Sequence, residues 1–297
     1  MNFTGMSAFP LTPINQEKVD EDAFVTSITK LVDAGVDSIG ALGSTGCYTY
    51  LSRAERKRII ELSVAHSADI PIIAGISGQR SRDVLEFAED VQQAGVAAVL
   101  LSPTSYQALS RDEVFNLYQS VSANLSVPLC IYDNPGTTHF TFTDELYLEL
   151  AQLPNVSSIK IPGVPADIDS ASARIKALRS LLPEHVSIGV SGDGFGATGL
   201  NAGCDLWYSA IAGTFPHIML AITRAAQQGD TAVADALNAP LLPLWELFSK
   251  YGSLRVIAAA AELQGLVKVP CLPNPLISIQ GQDRELLKVL LNKRALL

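Results

Sequence analysis

An α/β chain built as a (β/α)8 TIM barrel with a C-terminal helical extension is the fold this sequence predicts. Three observations predict it. Eight short apolar runs alternate with helical patterns, near residues 4–9, 37–42, 71–76, 97–101, 128–132, 156–161, 186–191 and 205–211. Two kinds of punctuation, Ala-Gly and an apolar residue before proline, recur where helix gives way to strand. Residues 229–297 then continue as helical patterns with no strand between them. Strands separated by helices pair in parallel through crossovers, and eight such units match a closed barrel. A doubly wound open sheet is the competing architecture, but nothing in it calls for eight units.

The elements follow in order. After the first run, Asp20 to Val32 reads as a helix, with Ala23, Phe24, Ile28, Leu31 and Val32 on one face. Ala34-Gly35-Val36-Asp37 stops it and opens the second run, because glycine adopts the left-handed conformation that ends a helix. Ser52 to Leu62 is the next helix, with Ser52 as N-cap and Glu55 completing a capping box. Ile70-Pro71 introduces the third run, and a helix follows at 82–93. Ala94-Gly95-Val96-Ala97 leads into the fourth run and a helix at 110–123. Val127-Pro128 and Leu153-Pro154 introduce the fifth and sixth runs, with helices at 142–151 and 166–180 after them. Helices at 195–202 and 215–227 flank the eighth run, which Ala202-Gly203-Cys204-Asp205 opens. Runs near 231–249, 253–265 and 283–293 look helical, and Pro270 to Pro275 is an irregular connector. The expected division is a barrel over 1–228 and an extension over 229–297, packed together because no long flexible linker separates them.

Composition narrows the function. Hydrophobic residues make up 48% of the chain and aromatics only 7%, so a large and mostly aliphatic core is expected. The net charge is −9 with no long basic run, which argues against nucleic acid or an anionic membrane as partner. No stretch reaches the length of a membrane span, and Met1 to Met6 carries no secretory pattern. Cys47, Cys130, Cys204 and Cys271 are scattered, as are the four histidines, so no metal site is expected. Reduced thiols and a cytoplasmic location follow as the default.

Reacting groups in a barrel gather at the C-terminal ends of its strands. Lys160 stands alone in the apolar run Val156 to Gly163. Burial of an ammonium is costly and lowers its pKa, and a neutral amine is a nucleophile. A solvated lysine on an edge strand is the plainer alternative. After the second run, Gly43-Ser44-Thr45-Gly46 makes a tight turn whose N–H groups suit a carboxylate, unless it is an ordinary loop. Tyr132 ends the fifth run, placed for proton transfer or for core packing. Tyr106 lies in the loop after the fourth run, and Ser191-Gly192-Asp193-Gly194 follows the seventh. Gly43, Gly192 and Tyr208 are counted with the substrate-binding residues. Lysine, tyrosine and a hydroxyl-glycine turn are the parts of a Schiff-base enzyme that handles a 2-keto acid without a cofactor.

Together, Gly43-Ser44-Thr45-Gly46, Tyr132-Asp133-Asn134-Pro135 and Ile159-Lys160 resemble the dihydrodipicolinate synthase / N-acetylneuraminate lyase family of class I aldolases. The resemblance spans essentially the whole chain, including Ala8 to Pro13, Leu51 to Arg56 and the helical tail. It implies a pyruvate-type Schiff base on Lys160 and a proton relay through Tyr132 linked by Thr45. It implies carboxylate binding by Ser44 and Thr45, and a homo-oligomer, a dimer or dimer of dimers, in which Tyr106 serves a neighbouring subunit. Three positions depart from the pattern. Thr137 stands where synthases carry a carboxylate-gripping arginine, Cys47 where glutamate is usual, and Ile161 where an acidic residue is common. The expected activity is therefore a lyase joining or releasing a 2-keto acid and a neutral or hydroxylated aldehyde. Dihydrodipicolinate synthase itself, a keto-deoxy sugar acid dehydratase and a non-enzymatic keto-acid sensor are the alternatives. A phosphate-binding barrel fits less well, since Asp193 brings the wrong charge to the loop after the seventh run.

Overall fold

The computed structural model describes residues 3–292. Eight parallel strands close a barrel: β1 (Gly5–Ala8), β4 (Ser38–Ala41), β5 (Ile72–Gly75), β6 (Ala98–Leu101), β7 (Leu129–Tyr132), β8 (Val156–Ile161), β9 (Ser187–Val190) and β10 (Leu206–Ser209). β1 closes the ring by pairing with β10 on one side and β4 on the other. All eight coincide with the expected runs. The small antiparallel pair β2 (Ile14–Asn15) and β3 (Lys18–Val19) was not expected.

Helices follow each barrel strand: α1 (Glu21–Ala34), α2 (Arg53–His66), α3 (Ser81–Gln93), α4 (Arg111–Ser122), a single turn α5 (Pro135–Thr138), α6 (Asp144–Leu150), α7 (Ile168–Leu181), α8 (Gly196–Asn201) and α9 (Pro216–Gln227). Side chains satisfy the first free N–H groups of five of them. Ser52 with Glu55 and Ser110 with Glu113 form capping boxes, while Asp20, Thr143 and Asp167 accept from the helix backbone. Gly35, at φ 72°, ends α1 in the left-handed conformation expected of it.

The extension holds α10 (Thr231–Asn238), α11 (Leu242–Tyr251), α12 (Ser253–Leu263) and α13 (Gly281–Asn292). The expected single helix over 231–249 is thus two, split by the 3-10 turn Ala239–Leu241, where Pro240 and Pro243 withhold backbone N–H groups. Residue 293 of the last expected helix lies outside the described residues. Among the described residues, no helix is long and apolar enough to cross a membrane.

Two cores result. The larger lies between strands and helices, and includes Ile131, Ile159, Ile161 and Trp207. The smaller fills the barrel with Phe3, Phe9, Ile73, Ala98, Leu100, Cys130, Tyr132, Leu206 and Tyr208. The period of two along a strand explains the partition. Ile159 and Ile161 face the helices, so Ser158 and Lys160 face the barrel interior.

Candidate active site

Lys160 ends the inward face of β8, beside Tyr132 on β7, with the two residues in register. It is 6% exposed. Its Nζ lies 4.2 Å from the centre of the Phe9 ring, 4.5 Å from that of Tyr132 and 5.4 Å from that of Tyr208. Burial among these rings pushes its pKa down to about 8, with Cys130 and Asp193 opposing the shift. The edge-strand alternative for this lysine is excluded, because β8 pairs on both sides.

The Tyr132 hydroxyl sits in a small polar cluster. Asn134 Nδ2 donates to it at 2.9 Å, and the Ser44 hydroxyl lies 3.2 Å away. Burial raises the tyrosine pKa to about 12, and the Ser44 contact partly offsets this. The expectation had Thr45 linking the relay. In the structure the hydroxyl that reaches Tyr132 is that of Ser44, since the turn after β4 aims this side chain at β7. The Thr45 hydroxyl enters no hydrogen bond among the described residues, although the residue is buried.

The Gly43–Gly46 turn has a second constraint. A Cβ on Gly40 would lie 2.3 Å from the Phe9 ring, and one on Gly43 would lie 2.5 Å from it. Glycine at these positions admits Phe9 to the barrel mouth beside Lys160. The N–H groups of Ser44, Thr45 and Gly46 have no partner among the described hydrogen bonds, so the turn offers donors to an anion.

The remaining expected residues divide. Gly192 lies two residues beyond β9 with φ 76°, and a Cβ there would stand 3.2 Å from the Pro162 carbonyl oxygen. Tyr208 is buried, and its hydroxyl meets Ser158 Oγ at 2.7 Å and Cys130 Sγ at 3.2 Å. Its ring faces Lys160, while its hydroxyl is engaged with these interior groups. Tyr106 is 89% exposed and is not packed into the site of its own chain.

Three neighbours received no role from the sequence. Phe9 lies within Ala8 to Pro13 and Asn134 within Tyr132-Asp133-Asn134-Pro135, motifs that assign neither a role. Asp193 was noted for its charge, and its carboxylate accepts from Ser209 Oγ at 2.7 Å and from the Ile211 N–H at 3.1 Å. Burial raises its pKa, while these bonds and Lys160 work against the rise. The signal for Asp193 was present: an acid inside a glycine turn at a strand end. Asp133 is a further buried acid. Its backbone N–H donates to the Lys160 carbonyl oxygen, and its Oδ2 accepts from the Tyr147 hydroxyl at 2.5 Å. Its Oδ1 has no hydrogen-bond partner among the described residues, and burial pushes its pKa up to about 6.

The three departures from the synthase pattern are also placed. Cys47 is buried at the end of the turn with φ 54°, and burial raises its thiol to about 12. Ile161 packs into the outer core. Thr137 is exposed on α5.

The model of the dihydrodipicolinate synthetase family matches residues 2–294. The chain belongs to this family. Membership makes it a carbon–carbon lyase of the class I, Schiff-base aldolase type, as the motifs implied. Among solved structures, a dihydrodipicolinate synthase from Agrobacterium tumefaciens is 41% identical, with a TM-score of 0.94 over 99% of this chain and 98% of that one. A 4-hydroxy-tetrahydrodipicolinate synthase from Bacillus subtilis is 28% identical over 92% of this chain and 94% of its own. One from Methanospirillum hungatei is 26% identical over 98% and 99%. Within the dihydrodipicolinate synthetase family, then, this chain carries Lys160, Tyr132 and the turn Gly43-Ser44-Thr45-Gly46, with Thr137 after Pro135-Gly136.

Proposed function

We propose that Lys160 forms a Schiff base with a 2-keto acid, pyruvate foremost, and that the protein joins this acid to an aldehyde or releases it from an aldol. The supporting observation is a lysine buried among three rings, its pKa lowered to about 8, beside a tyrosine hydroxyl that two polar side chains position. In this reading the neutral amine adds to the keto carbon, and water leaves to give an iminium. The iminium draws electrons from the adjacent carbon, which loses a proton to become an enamine nucleophile. Tyr132 carries the proton, and Ser44 and Asn134 hold its oxygen in place. The free N–H groups after β4, with the hydroxyls of Ser44 and Thr45, suit the keto acid's carboxylate. Gly192 allows close approach from the loop after β9.

The exposed Tyr106 supports a homo-oligomer in which this ring completes the site of a second copy, in a dimer or a dimer of dimers. A cytoplasmic location agrees with four free, buried cysteines. The second reading is 4-hydroxy-tetrahydrodipicolinate synthase, favoured by the names of the relatives and opposed by Thr137. The test is borohydride trapping with a panel of 2-keto acids. Mass spectrometry should find one carboxyethyl group, after pyruvate, on the peptide that contains Lys160. Labelling of another lysine, or none with any keto acid, refutes the proposal.

A further inference from the structure

Phe195 is a large aromatic side chain left open at the barrel end that carries Lys160. It closes the 3-10 turn Asp193–Phe195 after β9, and it is 40% exposed. Its ring lies against glycines on two adjacent loops. A Cβ on Gly163, three residues beyond Lys160, would stand 2.8 Å from the ring, and one on Gly192 would stand 3.0 Å from it. The ring therefore spans the loops that leave β8 and β9. The turn beneath it is held from behind, with Gly194 against Trp245 and Gly196 against Trp207.

The loops around this ring are poor in positive charge. The segments after β7, β8 and β9, residues 133–143, 162–167 and 191–195, contain no lysine or arginine. Asp133 and Asp193 are buried and bonded inward, and Asp167 caps α7. His139 is exposed on the first of these loops. None of the three segments offers the bidentate cation that a second carboxylate requires.

We propose that Phe195 is the shelf on which the aldehyde's body lies, and that this body is apolar, an aryl ring or a branched alkyl chain. The inference rests on the Schiff-base reading and narrows it. A hydroxylated body would surrender hydrogen bonds to water against an aromatic face that returns none. An aryl or alkyl body would gain from leaving water. The chemistry is redox-neutral. A methyl proton of the pyruvate iminium passes to the Tyr132 oxygen as the hydroxyl hands its own proton to the hydroxide expelled in forming the iminium, which leaves as water, and the enamine carbon attacks the aldehyde carbon to form the new C–C bond. The carbonyl oxygen takes that proton from Tyr132 and becomes a hydroxyl. Water then adds to the iminium carbon, returns a proton to the Tyr132 oxygen, frees the Lys160 amine and releases a 4-hydroxy-2-oxo acid.

The experiment uses the full chain with pyruvate and four aldehydes: benzaldehyde, 3-methylbutanal, glyceraldehyde and aspartate semialdehyde. Products are quantified by mass spectrometry, and the borohydride adduct of pyruvate is measured in parallel. The expected result is kcat/KM for the two apolar aldehydes about 10- to 100-fold above the other two, from hydrophobic discrimination in the pocket. Phe195→Ala should erase most of this preference, chiefly through KM, while the adduct on Lys160 still forms. Phe195→Leu, which keeps apolar bulk, should retain more of it. A preference for a hydroxylated or charged aldehyde overturns the proposal, as does an unchanged preference in Phe195→Ala, in each case with the adduct intact. Loss of the adduct with every keto acid instead refutes the Schiff-base reading, and this inference falls with it.

Discussion

Tyr132 and Lys160 are register partners on adjacent strands, and the lysine Nζ stands 4.5 Å from the centre of the tyrosine ring. The pair combines a nucleophile and a proton carrier on one rigid surface. Because the strands fix both side chains, the spacing does not depend on loop order.

The first prediction concerns pH. Only neutral Lys160 attacks a carbonyl, and burial lowers its pKa to about 8. The neutral fraction at pH 7 is then about one tenth, against about one in three thousand for an ordinary lysine. The rate of trapped-adduct formation should rise tenfold per pH unit below 8 and level off above it. A profile still rising steeply between pH 9 and 10 would show an ordinary, solvated lysine.

The second prediction isolates Tyr132. Tyr132→Phe removes one oxygen and keeps the ring that packs against Lys160. Proton transfer by a positioned side chain contributes roughly 10²–10⁴-fold. Turnover should fall by that factor, while the dissociation constant for pyruvate and the melting temperature change little. Near-normal turnover would leave the tyrosine with a packing role only.

The third prediction separates two neighbouring hydroxyls. Ser44 is the one at 3.2 Å from the Tyr132 oxygen. Ser44→Ala should therefore lower kcat by about tenfold, the loss of roughly one hydrogen bond. Thr45→Val should act mainly on KM for the keto acid. The reverse pattern, in steady-state kinetics with pyruvate varied, would make Thr45 the relay partner.

The fourth prediction links Asp133 to stability. Its folded pKa is raised from 3.8 to about 6, so the protonated acid is favoured in the native state. Its contribution is fully present below pH 3.8 and is lost as pH rises through about 6. The shift corresponds to on the order of 1–3 kcal/mol. Asp133→Asn cannot ionise and should lack this loss. Between pH 5 and pH 7.5, urea midpoints of the two proteins should diverge in favour of the variant. Parallel curves would mean that the carboxyl is relieved in the native state, for instance by water at its free Oδ1.

How far the sequence could be read depended on how local each feature is. The eight strands were legible because apolar runs and their Ala-Gly or X-Pro boundaries are local signals. Lys160 was legible because its strand neighbours leave it one face. Phe9 was not, because its place beside Lys160 follows from barrel closure between β1, β10 and β4. Nor was the β2–β3 pair, whose turn uses Gln16 and Glu17 at φ 50° and 60° where glycine would have given the signal. Which of Ser44 and Thr45 meets Tyr132 is set by the turn's dihedral angles, and sequence order does not encode these.

The last prediction concerns aspartate semialdehyde. Recognition of its carboxylate by an arginine is bidentate and charge-assisted, which the hydroxyl of Thr137 does not reproduce. Thr137 is exposed on α5, and among the described residues its hydroxyl meets only the Asn134 carbonyl oxygen, at 3.4 Å. Loss of a charged hydrogen bond, about 1.5–3 kcal/mol, lowers catalytic efficiency on the order of ten- to a hundredfold. Cys47 and Ile161, where the resemblance implies acidic residues, bring no charge to the site, and both are buried. The protein should therefore be a weak synthase in a coupled assay with pyruvate and aspartate semialdehyde, and a poor complement of a lysine-requiring strain. Thr137→Arg tests the cause directly. Because the position is exposed, the longer side chain can be accommodated without repacking a core. It should raise kcat/KM for aspartate semialdehyde at least several-fold and leave pyruvate adduct formation alone. Robust synthase activity in the unaltered protein, with no gain from Thr137→Arg, would mean that another residue grips the carboxylate, and the synthase reading would then be preferred.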